Sequence, residues 1–272
     1  MQFASLTSLT IGQGKVDPGP QRYREGGNSR CYYSWTLDEC VEILYTAPNL
    51  VECAFEGLDF PHYAFRYDMF STDFEFYTHT TLKSLRLGTD DLESHSSSSI
   101  LQYITLPALE TLTVSYLDMP PSDLIAFLTR SLGLLRTFNM TIYRWESMWP
   151  MEAMDAFFRV FPTLTHLNLQ FDGNDSDNLF FEFLVIRSLR ELPNLRDLQI
   201  RGCPPLARPQ YEELVSALAA HKKLRSFRLV WTHGDHTPDP DILVFLRAIS
   251  ENGVEIYAGA AEGSNLIYDP NH

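Results

Sequence analysis

Three short segments carry residue types that could bind a phosphate or a metal ion. GQGK at 12–15 follows a predicted strand but lacks the GxxxxGK[ST] spacing of a phosphate loop. The acidic run at 172–177 resembles a calcium loop, yet Phe183 stands where such a loop needs its bidentate glutamate. HGDH at 233–236 could supply zinc ligands, but it lies in a Gly/Pro-rich loop that does not fix their geometry. We therefore expect no metal site and no cofactor.

Signatures of nucleophilic and of zinc-dependent catalysis are missing from the sequence. It contains no GxSxG nucleophile elbow, no HExxH helix and no convincing Cys–His arrangement. We expect a protein that is not an enzyme and has no catalytic residues. An enzyme whose site is assembled from residues far apart in the sequence is the weaker alternative.

Charge and composition limit the kinds of partner that the chain is expected to bind. The chain has 272 residues, of which 21 are Lys or Arg and 35 are Asp or Glu, and its net charge is -14. Such a chain repels phosphate backbones, so nucleic acid is not an expected partner. The four cysteines form neither a CxxC pair nor a dense framework, which favours a reducing compartment, the cytoplasm or the nucleus. No stretch reaches 18 uncharged apolar residues, so we expect no membrane partner.

A repeated phrase indicates which elements would position any functional side chain. Leucine-x-x-leucine-x-leucine, with other apolar residues as substitutes, occurs eight times. The three apolar positions of each copy are Leu6-Leu9-Ile11, Leu50-Cys53-Phe55, Leu82-Leu85-Leu87, Leu109-Leu112-Val114, Leu135-Phe138-Met140, Leu164-Leu167-Leu169, Leu195-Leu198-Ile200 and Leu224-Phe227-Leu229. Pro48, Pro107, Pro162 and Pro193 each stand two residues before a first leucine, where proline ends a preceding helix.

Helical patterns lie between the phrases. Apolar residues at i, i+3, i+4 and i+7 occur at Leu37-Cys40-Val41-Leu44, Met154-Phe157-Phe158-Phe161, Tyr211-Leu214-Val215-Leu218 and Ile242-Phe245-Leu246-Ile249. A further helix is expected at Leu124-Ile125-Leu128-Leu132, with Ser122 as its N-cap. Strand and helix thus alternate along the chain.

This alternation predicts an α/β fold, a leucine-rich repeat solenoid of horseshoe shape. Its parallel β-sheet would line the concave face and its α-helices the convex face. We expect a single domain over residues 1–272 with about 8 to 9 repeats. Residues 12–35 and 88–99 are expected to be inserted flexible loops, and residues 258–272 a C-terminal tail.

The strand period of two predicts which side chains face a partner. In each phrase the fourth and sixth positions should point into the core, and the third and fifth outward. The predicted protein-binding residues on the concave face are Ser84, Arg86, Thr111, Thr113, Thr137, Asn139, His166, Asn168, Asp197, Gln199, Ser226 and Arg228. A polar sheet face in water would show the same pattern without binding anything.

A loop after the fifth phrase forms a second candidate site. Tyr143, Arg144, Trp145 and Trp149 are of the residue types that dominate interface hot spots. Alternatively, the two tryptophans fold back as local core.

Three phrases of the sequence carry a resemblance to a known family. They are the runs LYTAPNLVEC at 44–53, ITLPALETL at 104–112, and FLTRS at 127–131 followed by LRTF at 135–138. These runs resemble the repeats of fungal (basidiomycete) F-box and leucine-rich repeat proteins. The resemblance implies that the repeats select a protein for ubiquitination, while an F-box binds the adaptor of a cullin-RING ubiquitin ligase. The Leu-Pro-x-Glu segment of an F-box is not found in this sequence. A free-standing binding or inhibitory repeat protein is the alternative expectation.

Overall fold

A parallel β-sheet of nine strands dominates the structure. The computed structural model describes residues 5–12, 37–56, 76–88, 97–115, 120–131, 133–143, 156–172, 185–203, 208–231, 238–260 and 265–267. The large sheet contains β1 (Ser8–Gly12), β2 (Glu52–Glu56), β4 (Ser84–Leu87), β6 (Thr111–Ser115), β7 (Thr137–Tyr143), β8 (His166–Asp172), β9 (Asp197–Cys203), β10 (Ser226–Trp231) and β11 (Glu255–Ala260). Two short strands, β3 (Tyr77–Thr78) and β5 (Ile104–Thr105), pair in a separate parallel sheet.

The nine strands lie side by side in the order in which they follow along the chain. Every neighbouring pair is parallel, and equivalent positions of the repeated phrase stand opposite one another. Leu112, for example, pairs with Phe138, which pairs with Leu167. The predicted parallel α/β arrangement is therefore confirmed.

Alternation along the strands divides the sheet into a buried face and a polar face. The fourth and sixth positions of the phrases are buried from the second copy onward, as in Leu112 and Val114, and belong to one hydrophobic core. The third and fifth positions, which alternate with them, are partly exposed, as in Thr111 and Thr113. The predicted strand parity is confirmed.

Helices occupy the segments between the strands of the sheet. They are α1 (Leu37–Thr46), α2 (Pro121–Arg130), α3 (Arg187–Glu191), α4 (Arg208–Ala220) and α5 (Pro240–Glu251), together with a 3-10 helix (Ser97–Gln102) and a helical turn at 156–159. Their buried side chains, including Leu44, Leu124 and Leu214, join the same core as the strands.

Two helix details differ from the sequence prediction. Helix α2 begins at Pro121 after Pro120, so Ser122 is not its N-cap and lies inside the first turn. A proline at the first position already has the φ that a helix needs. On α5, Phe245 is 54% exposed while Leu243 is buried, so the buried stripe is turned by part of a helical turn from the predicted one. Periodicity alone could not distinguish these two apolar neighbours.

The C-terminal segment holds a ninth strand that the phrase did not predict. Gly253 stands two residues before β11, at the position that the first leucine has in the other phrases, and this glycine hid the repeat. Continuing the β10–β11 register backwards by two residues aligns Gly253 with Leu224. Residues 258–260 belong to β11, and Ile267 is buried, so these parts of the expected tail are structural. Asn265 accepts from the backbone N–H of Ala258 at 3.0 Å and donates to the Ile256 carbonyl at 2.9 Å, covering the outer edge of β11.

The two loops predicted at 12–35 and 88–99 are shorter than expected, because some of their end residues belong to ordered elements. Gly12 is the last residue of β1, and the remaining residues of the 12–35 segment lie outside the described residues. Gly88 is buried beside the chain of Ser115, and residues 97–99 lie in the 3-10 helix. The loop prediction rested on the serine-rich composition and is wrong for residues 97–99. The neighbouring side chains of Ile100 and Leu101 anchor this helix in the core.

Candidate interaction surface on the sheet

The twelve predicted concave-face residues lie on the polar face of the sheet in two adjacent rows. The third-position row runs through Ser84, Thr111, Thr137, His166, Asp197 and Ser226, and the fifth-position row through Arg86, Thr113, Asn139, Asn168, Gln199 and Arg228. Parallel strands place members of a row about 4.8 Å apart. The structure thus brings together side chains that are far apart in the sequence. We call these two rows the polar strip.

A contact between an imidazole and a carboxylate stands at the centre of the polar strip. His166 Nε2 lies 2.9 Å from Asp197 Oδ2 across strands β8 and β9, and both side chains are about half exposed. Thr165 Oγ1 lies 2.8 Å from the other ring nitrogen, Nδ1. The imidazole is therefore held from both sides, which fixes the orientation of its ring.

Neighbouring amides extend this network across the strip. Asn139 Nδ2 donates to Thr113 Oγ1 at 2.9 Å. With its amide turned to face Arg201, Gln199 accepts from Nη2 of that guanidinium at 2.8 Å. The side-chain oxygen of Asn168 is shielded from solvent and has no hydrogen-bond partner. An unsatisfied buried acceptor costs free energy at this point of the strip.

The structure adds outward residues that the phrase did not predict. Strands β7, β8 and β9 run for seven residues, which adds a seventh-position row through Thr141, Gln170 and Arg201. The alternation of polar and apolar residues after each phrase was the signal for this extension. The ninth strand adds Tyr257, and the Arg228 guanidinium lies 4.9 Å from the centre of its ring.

Several other predicted features fall outside the described part of the chain. Arg144, Trp145 and Trp149 of the aromatic hot spot lie there, and of Tyr143 only the backbone, at the end of β7, is described. The segments 13–15, 173–177 and 233–236, considered above for ion binding, lie there too. Within the described ranges, no group of three His, Cys, Asp or Glu side chains is placed to hold a metal ion.

The chemistry available on the polar strip is hydrogen bonding and ion pairing. Thr165, His166 and Asp197 form a hydroxyl–imidazole–carboxylate chain of the kind that can activate a nucleophile. Here, however, the Thr165 hydroxyl donates its single proton to the Arg136 carbonyl at 3.1 Å, and the imidazole stands half exposed on a strand face. An apolar hollow lies elsewhere, lined by residues that include Leu109, Leu128 and Val160. The arrangement suits recognition of an extended surface.

Comparison with known proteins adds no family assignment. No protein-family model matches the chain, and no curated protein matches it. None of the helices in the described ranges is long and apolar enough to cross a membrane.

Proposed function

We propose that the chain is a leucine-rich repeat solenoid that binds a partner protein on the polar strip. The observation that carries this proposal is the in-register pairing of nine parallel strands, each presenting polar side chains at equivalent positions. Stacked repeats of a strand and a helix bury one continuous core and leave one long sheet face open. At about 4.8 Å between strands, the six strands of the polar strip span roughly 24 Å and the nine-stranded sheet roughly 38 Å, enough for an interface of standard size.

Prior ordering of the side chains supports a binding role for the strip. His166 is fixed by Thr165 and Asp197, and Asn139 is fixed by Thr113. Side chains that are already ordered lose less conformational entropy when a partner binds.

The resemblance of the repeats to fungal F-box proteins gives the proposal its most specific form. In that form the strip selects a protein for ubiquitination by a cullin-RING ligase. The run LYTAPNLVEC at 44–53, one of the similar phrases, spans the end of α1, a turn and the start of β2. A free-standing binding protein would use the same strip without the ligase.

The experiment compares proteins captured by the tagged chain and by the double variant His166→Ala/Asn168→Ala. Both side chains lie on the open sheet face, so the variant should fold, and a thermal melt checks this. Loss of a central contact pair should weaken capture by about 1 to 3 kcal/mol. The matched control is Glu212→Ala/Glu213→Ala on helix α4.

The outcomes separate the forms of the proposal. Capture that depends on His166 and Asn168, together with ligase adaptor subunits among the bound proteins, supports the ubiquitin-ligase form. The same dependence without ligase subunits supports the free-standing form. Capture that is lost in the α4 variant and retained in the strip variant contradicts the polar strip as the binding site.

A further inference from the structure

A row of arginines borders the polar strip where the strands begin. Arg136, Arg196 and Arg225 immediately precede β7, β9 and β10, at the second position of their phrases. Second-position side chains of neighbouring strands can reach one another, since Lys83 Nζ and Glu110 Oε1 meet at 3.0 Å in this row. All three arginines are exposed. We call these three residues the arginine rim.

The arginine rim lacks the carboxylate partners that other arginines of this acidic chain have. On the helices, Arg190 pairs with Glu213 at 2.8 Å, and Arg208 pairs with Glu212 at 3.1 Å and with Asp239 at 3.2 Å. Within the described ranges, no carboxylate forms an ion pair with Arg136, Arg196 or Arg225. The rim thus holds three exposed guanidinium groups without ion-pair partners among the described residues, on a chain with 35 acidic residues, 21 basic ones and a net charge of -14.

The backbone under the arginine rim is firmly held. The Arg136 carbonyl accepts from the N–H groups of Thr165 and His166, both at 2.9 Å. The Arg196 carbonyl accepts from Arg225 at 2.7 Å, and the Arg225 carbonyl accepts from Glu255 at 2.7 Å. These contacts fix the spacing of the three Cα atoms while the guanidinium groups stay open to a ligand. Such preorganisation favours binding.

We propose that the arginine rim binds an acidic segment of the partner protein, rich in Asp or Glu. The inference rests on the proposed protein-binding function and names the chemistry of the partner. Guanidinium groups bind carboxylates through paired N–H donors, which suits these residues to the task. From β7 to β10 the rim spans about 14 Å, so an extended segment of about four or five residues covers it.

The overall negative charge does not prevent this binding. At physiological ionic strength the screening length is about 8 Å, so acidic groups farther away act weakly on a bound segment. The rim arginines act at contact distance, where screening is small. Nucleic acid would present its charge along a much longer path and meet the acidic remainder of the surface.

The test measures fluorescence anisotropy of a labelled peptide of about ten residues, with Glu at alternate positions. The variant is Arg196→Gln/Arg225→Gln, and the matched control is Arg190→Gln/Arg208→Gln, which removes the same charge from the helices. We expect the peptide to bind the unmodified chain and to bind the rim variant roughly ten-fold more weakly, while the control variant is unchanged. Arg136→Gln, at the far end of the rim, should weaken binding by a smaller factor.

Three results would overturn the inference. They are no binding to the unmodified chain, equal weakening in the rim and control variants, and tighter binding of single-stranded DNA of similar length than of the Glu peptide. Thermal melts establish that each variant is folded. If the peptide fails while partner capture still depends on His166 and Asn168, the rim inference is wrong and the proposed function stands. If the rim variant abolishes capture and the His166/Asn168 variant does not, the arginine rim binds the partner and the polar strip does not.

Discussion

The Nε2 atom of His79 lies 3.0 Å from the carbonyl oxygen of Ala47, one repeat earlier in the chain. Since a carbonyl can only accept, Nε2 carries the proton, and Nδ1 accepts from the backbone N–H of Leu82 at 3.2 Å. His221 makes the same two contacts, with Leu192 at 3.0 Å and Leu224 at 3.1 Å. Each histidine stands three residues before the first leucine of its phrase and links two successive repeats.

His79→Ala should therefore destabilise the fold by about 2 to 4 kcal/mol. The change leaves the buried N–H of Leu82 without an acceptor and removes one of the two donors to the Ala47 carbonyl, which keeps the Leu50 N–H at 3.1 Å. It also leaves a cavity. His221 is only half-buried, so water can replace its contacts, and His221→Ala should cost less, about 1 to 2 kcal/mol. Chemical denaturation of both variants checks the order. A larger loss at His221 would contradict this assignment.

Leu112→Ala and Leu167→Ala should each cost about 2 to 5 kcal/mol, because both fourth-position side chains are buried in the core. Thr113→Ala, on the opposite face, removes the partly exposed hydrogen bond with Asn139 and should cost about 1 kcal/mol or less. Thermal melts of the three variants rank them. The reverse order would place the strands one residue out of register and exchange the two faces.

Gly202→Ala should destabilise the protein more than Gly253→Ala. Both glycines have positive φ, at 72° and 96°, where any other residue costs about 1 to 2 kcal/mol. Gly202 also forms the irregularity between β9 and β10, and an added Cβ there would overlap the carbonyl oxygen of Phe171. At Gly253 an added Cβ meets nothing within 4 Å.

Melting temperatures of these two glycine variants provide the measurement. The cost of a positive φ is common to both variants, so the additional loss of stability at Gly202 measures the steric overlap with Phe171. Equal losses would show that the strand can shift away from Phe171 at no cost.

Cys40 and Cys53 should resist alkylation in the folded protein. Burial raises the pKa of both thiols to about 12, with smaller contributions from Glu39 at Cys40 and from Cys40 at Cys53. Near pH 8 the reactive thiolate is then roughly 10⁻⁴ of each population. Iodoacetamide labelling at that pH, followed by peptide mass spectrometry, should modify both sites only after denaturation. Fast labelling of either one in the native protein would contradict its burial.

Much of the architecture follows from the sequence because local periodicity and global packing agree. The phrase places an apolar residue at every second strand position, so Leu112, Phe138 and Leu167 must share one face once the strands are in register. The same parity predicted that His166 and Asn168 would face outward. These inferences need only the geometry of a strand and the exclusion of water from apolar side chains.

Contacts between repeats were decided by tertiary structure. His166 and Asp197 are 31 positions apart in the sequence, and nothing in that spacing indicates that their side chains meet. The register of β8 and β9 makes the two residues neighbours. The ninth strand was hidden because Gly253 replaces a leucine, and the packing of Ile256 and Ala258 against the core restores it. The arginine rim likewise emerges only when Arg136, Arg196 and Arg225 are aligned on parallel strands. A sequence fixes which side chains alternate, whereas the hydrogen-bonded register fixes which of them become neighbours.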